Sequence, residues 1–128
     1  MTPQVPAVLG ELAQLLMRNA VPGGVPDAER ANALGLYAML LGIAAEVWDG
    51  AAHNLVEENH AVRALLDVGG EDSDLRLSAL RAENDRLRTA LIDAQIAAEQ
   101  SGDTARQDVI WAELAASTER RRLSVSLV

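Results

Sequence analysis

The chain has 128 residues, enough for one domain with a real core and too few for two independent ones. Its net charge of −8 repels phosphate, which argues against a nucleic-acid binder held by backbone contacts; the one concentration of positive charge is Arg120 to Arg122. With no Cys there is no disulfide, thiolate metal site or cysteine nucleophile, and with 49% hydrophobic but only 2% aromatic residues the core must be built from Ala, Leu, Val and Ile.

The opening MTPQVP lacks a positive region followed by an apolar run and a cleavage site, so no secretory signal is read and a cytoplasmic location is expected. The first helix is expected over about 4–19, with Pro3 or Pro6 in a first-turn position and a buried stripe of Leu9, Leu12, Leu16 and Asn19, widened by Val8 and Leu15. Val21-Pro22-Gly23-Gly24-Val25-Pro26 then forbids helix, and Asp27 is placed to cap the next one.

That second helix, expected over 27–68, organises the chain. Its apolar positions step by alternating fours and threes through Leu34, Ala38, Leu41, Ala45, Trp48, Ala52, Leu55, Asn59, Val62 and Leu66, a heptad seam with large residues on one position and small ones on the other. Ala38, Ala45 and Ala52 recur every seventh residue and allow a neighbouring helix to approach closely. From Leu34 to Val47 a second stripe (Leu36, Leu40, Ile43, Val47) predicts that this half is covered on two sides. Gly35 and Gly42 share a flank, and their propensity cost points to a second close helix there, the first helix being the candidate. The longest apolar run, Ala33 to Ala45, stops at Glu46, short of the roughly 20 residues that cross a bilayer, so no membrane span is expected.

Gly69-Gly70 stops the helix, and the acidic run Glu71, Asp72, Ser73, Asp74 is placed to cap a third helix over 73–100, with seam residues Leu77, Leu80, Asn84, Leu87, Leu91, Ala94 and Ala98. Ser101-Gly102 breaks it, and Thr104 with Gln107 has the capping-box spacing for a fourth helix over 104–122. Arg120 to Arg122 then complement that helix's dipole, and residues 123–128 are expected to be a flexible tail.

Glu58-Asn59-x-x-Val62-Arg63 is echoed by Glu83-Asn84-x-x-Leu87-Arg88, each with its Asn on the seam. If the Gly-Gly turn folds the two long helices antiparallel, Asn59 and Asn84 reach nearly the same level and are placed to hydrogen-bond, fixing register at some cost in stability. The segment Leu80 to Leu87 resembles the zipper portion of dimeric coiled-coil proteins, which implies helix pairing; no upstream basic region accompanies it.

Three residues have metal-ligand spacing: His53, Glu57 and His60, with Glu57-x-x-His60 in the form of a ligand pair from carboxylate-bridged di-iron bundles. The seam register turns them outward, and the motif occurs once where such a site needs two, so a solvated polar face competes with the metal reading. Glu57-Glu58 and the run Glu71 to Asp74 superficially resemble the acidic helices of nucleotide pyrophosphohydrolases, without the paired Glu-x-x-Glu element. No phosphate loop or nucleophile elbow occurs, so no catalytic residue and no cofactor are assigned. The sequence therefore predicts an all-α, single-domain antiparallel bundle of about four helices with two long central ones forming a hairpin. It is expected to be non-catalytic, binding neither nucleic acid nor membrane, and to form a homodimer or engage an unidentified protein partner. Ala38, Ala45, Ala52, Asn59, Asn84, Leu87 and Leu91 are its interface and register positions.

Overall fold

A computed structural model describes residues 5–19 and 27–124, and every regular element among them is a helix: α1 (Val5–Asn19), α2 (Asp27–Leu66), α3 (Leu77–Ser101) and α4 (Thr104–Arg120). The all-α class expected from the composition is what forms. The connection at 20–26, residues 125–128 and the side chains of Leu16 and Asn19 lie outside the described residues. Two compact units are present, one comprising the described residues up to Asp49 with Leu123 and Ser124, the other Gly50–Arg122, and α2 is one helix through that boundary.

In the first unit α1 carries Pro6 in its first turn, where a missing N–H costs nothing, and buries Val5 and Leu12 while Leu9 is exposed. On α2 the buried positions are Tyr37, Ile43 and Ala44. The seam is not buried here: Leu34, Leu41 and Trp48 are 54%, 50% and 60% exposed, and Ala38 and Ala45 are exposed between them. The expectation of cover on two sides is corrected. Of the outer stripe Ile43 is buried, Leu40 and Val47 are half-buried and Leu36 is exposed. α1 is the one other described helix of this unit, and periodicity says which faces avoid water without supplying neighbours to cover them. Gly35 and Gly42 also face open space, where a Cβ would meet nothing within 4 Å, so no close helix explains them. Among the described residues, α2 is the one helix long and apolar enough, by length and composition, to cross a membrane. The start of the tail is tied down: the Ser124 hydroxyl (2.7 Å) and N–H (2.6 Å) both donate to Glu46 and hold its carboxyl below the usual range.

In the second unit α2 ends at Leu66 because Asp67 takes a left-handed conformation (φ 55°), which lets the Val68 N–H return to the Arg63 carbonyl at 3.0 Å. α3 begins at Leu77, later than the acidic run predicts, and its cap residue Arg76 makes no side-chain cap. The acidic residues are engaged elsewhere: Asp72 takes the Arg63 guanidinium at 2.8 Å, and Asp74 accepts the N–H and guanidinium of Arg76. Gly102, at φ 71°, closes α3 by donating its N–H to the carbonyls of Ala98 and Glu99, a turn that strains any residue with a Cβ. Asp103 caps α4 by accepting the Arg106 N–H at 3.0 Å, in place of the expected Thr104/Gln107 box, while the Gln107 amide reaches back to the Ala98 carbonyl.

The apolar centre of this unit is Val62 from α2, Leu87 and Leu91 from α3 and Ile110 from α4, with Leu65, Leu66, Ala94 and Leu114 packed against it. Leu87 has no exposed surface whereas Ile92, on the same helix, is largely exposed. Leu87→Ala is expected to lower unfolding free energy in urea by about 2–5 kcal/mol, and Ile92→Ala to shift it by no more than about 0.5 kcal/mol. Equal losses at both positions would contradict this placement of the core.

Candidate functional site

The chemistry-bearing residues converge inside the second unit. Glu58, on the turn of α2 that faces α3 and α4, is 2% exposed, and an ionised carboxylate so far from water needs its oxygens filled. Both are. Oε1 accepts from Asn84 Nδ2 (3.1 Å) and Arg88 Nη1 (2.9 Å), both on α3. Oε2 accepts from the Ser117 hydroxyl on α4 (2.7 Å) and from Arg121 Nη2 just after α4 (2.7 Å). Burial pushes the Glu58 carboxyl up, and the Ser117 hydroxyl, the Asn84 amide and the two guanidinium groups together bring it below its ordinary value.

One residue on, Asn59 is fully buried and accepts Asn84 Nδ2 at 3.0 Å, while its own amide donates to Asp72 Oδ1 (3.1 Å) and the Leu80 carbonyl (3.4 Å). The expected Asn59–Asn84 pair forms. Arg63 then bridges Asp72 (2.8 Å) and Glu83 (2.9 Å), and Glu83 also accepts a bidentate pair from Arg86. The Asp72 carboxylate is the largest influence holding the Arg63 guanidinium charged, and the Arg86 guanidinium is the largest in lowering the Glu83 carboxyl to about 2.

The sequence echo acquires a meaning from these contacts. Glu58 of the first copy pairs with Arg88 of the second, Glu83 of the second pairs with Arg63 of the first, and the two asparagines meet between them. Exchanging the two segments exchanges the pairs, and the two apolar members, Val62 and Leu87, lie together in the core. The sequence pattern located the motif and the Asn pair. It did not locate the counter-charges, because Asp72 lies in a loop and Ser117 and Arg121 lie more than fifty residues beyond Glu58; in particular Arg121 neutralises Glu58 and Arg120 pairs with Glu113 (2.6 Å), beyond any dipole role.

The remaining assigned positions divide. Leu87 and Leu91 are buried in the core and Ala52 is half-buried, while Ala38 and Ala45 are exposed. His53, Glu57 and His60 all face solvent, and among the described residues no group of three or more His, Asp or Glu side chains is gathered to hold a metal ion. The recess beside Glu58, lined by Val62, Arg88, Leu91, Glu113, Leu114 and Ser117, has no room for a water molecule. With four donors on its two oxygens, the Glu58 carboxylate ties α2 to α3, to α4 and to the residue after α4. Comparisons of the chain with protein-family models, curated proteins and solved structures find no match.

Two outcomes follow from this geometry. Asn84→Leu strands the Asn59 carbonyl oxygen and removes a donor from a buried carboxylate, so it is expected to cost about 1–3 kcal/mol in urea titration, the reverse of the gain seen when an isolated seam Asn is replaced. Unchanged or higher stability would mean that the pair is not made. Glu58 and Glu83 both titrate below their ordinary value of 4.5, so on acidification the unfolded chain takes up protons before the folded one. Their stabilisation is complete above about pH 5 and is lost on acidification, the Glu83 part as pH falls towards about 2, which a falling Tm in calorimetry would register and a flat Tm would contradict.

Proposed function

We propose that this protein is a non-catalytic helical interaction protein of the cytoplasm, which pairs with a second copy of itself and presents helical surfaces to a partner protein, with the segments around Glu58 and Glu83 acting as an antiparallel clasp. One observation carries the reading: the buried polar side chains of Glu58, Asn59, Arg63 and Asn84 are all engaged internally, whereas apolar side chains on the first half of α2 are left in water. Internal saturation removes the clasp from ligand chemistry. An uncovered apolar stripe, by contrast, has a free-energy reason to find another surface.

Native mass spectrometry of the untagged full chain is the test. The expected spectrum is a dimer of unmodified chains, unchanged in His53→Ala and His60→Ala. A stoichiometric ion or metabolite that disappears in either variant would replace this reading with a ligand-binding one, and a monomer at every concentration would remove self-association from it.

A further inference from the structure

The exposed half of the α2 seam has a pattern that is complementary to its own reverse. Between Leu34 and Trp48 the seam positions read Leu34, Ala38, Leu41, Ala45, Trp48, strictly large and small in turn, and all five are exposed. In a parallel pair of helices like meets like, so Ala would face Ala and Trp48 would face Trp48 in successive layers. In an antiparallel pair the two seam positions face each other. With the two-fold axis near residue 43, Trp48 of one copy sits over Ala38 of the other and Leu41 over Ala45, and the same two layers repeat across the axis. Every layer joins one large and one small side chain, the condition for filling space evenly at the short interaxial distance that alanine allows. Gly35 and Gly42 run along the flank of that seam with open space at each Cα, which removes the side chains that would hold a second backbone away.

We infer that the Leu34–Trp48 face of α2 is the dimer interface of this protein, and that two copies join there antiparallel about an axis near residue 43. The inference rests on the self-associating reading above and adds the surface and the direction. A lipid bilayer is the competing occupant, since α2 is long and apolar enough to cross one, while the net charge of −8 opposes binding to acidic lipid.

Because the chain has no Cys, single-cysteine variants read the geometry directly. Gly35 and Gly42 are a matched pair, since both are exposed and both accept a Cβ without collision. About an axis near residue 43, position 42 lies about 3 Å along the helix from its mate, and position 35 about 24 Å from its own. Gly42→Cys is expected to form a disulfide-linked dimer under mild oxidation and Gly35→Cys is not, since a disulfide spans about 7 Å between Cα atoms at most. Trp48→Arg, in the full chain, is expected to weaken dimerisation roughly tenfold or more, with helical circular dichroism unchanged. Equal cross-linking of both cysteine variants would mean a parallel pair and overturn the inference. A native dimer that neither variant cross-links and Trp48→Arg leaves intact would place the interface elsewhere, overturning the inference while sparing self-association. A monomer would overturn both, and a monomer that floats with neutral phosphatidylcholine vesicles would assign the face to lipid.

Discussion

The second unit depends on keeping the carboxylate of Glu58 charged out of water. Nothing on α2 alone meets that demand, because its four donors come from α3, α4 and the residue following α4. Three helices must arrive together in one register for the charge to be tolerated. The Coulombic gain of such a group is largely offset by desolvation, so the cluster contributes less to net stability than its short distances imply. What it supplies is exclusion: sliding α3 along α2 by one residue, about 1.5 Å with a large rotation of the helix face, leaves a buried carboxylate and a buried amide unpaired at once. An Ala- and Leu-rich seam without such groups has many nearly equivalent packings.

The reciprocal pairing of the two Glu-Asn-x-x-apolar-Arg segments economises on this kind of specification. A single local pattern, repeated on two helices, supplies each acid with a base on the other strand of the pair and places its Asn and apolar residue at the centre. Asp72 extends the cluster, bonding to Arg63 and Asn59 from the loop between α2 and α3, so the connection is held by the same charges as the helices it joins. That engagement also accounts for the late start of α3: an acidic residue bonded to a guanidinium on a neighbouring helix is not free to cap its own.

Local pattern made some of this legible and long-range partnership did not. The four helices, the Asn59–Asn84 pair and the Gly102 stop follow from spacing and backbone preference, which act over a few residues. The capping assignments failed at Asp72 and Thr104 because tertiary bonds and the neighbouring Asp103 outcompeted them. The His53, Glu57, His60 spacing is real, yet a metal needs ligands from more than one direction and no other described helix supplies them. Burial of the first half of α2 departs from its periodicity for a related reason: hydrophobic periodicity says which face avoids water, and only the available neighbours decide which faces are covered.

The contrast between the two halves of α2 bears on how pairing is specified along one seam. In the covered half a polar residue, Asn59, interrupts the apolar positions and its hydrogen bonds choose one partner in one register. From Leu34 to Trp48 the seam carries no polar residue, and its nearest charges, Glu46 and Asp49, fall outside the seam positions. Hydrogen bonding therefore cannot select a register there, and the alternation of side-chain size is what remains. Size alternation discriminates direction well, because matched layers fill space and mismatched ones leave gaps beside Ala and collisions beside Trp. It discriminates identity poorly, since any helix with the complementary alternation would fit. A seam that is its own complement when reversed has one partner always present at matching concentration, a second copy of the same chain.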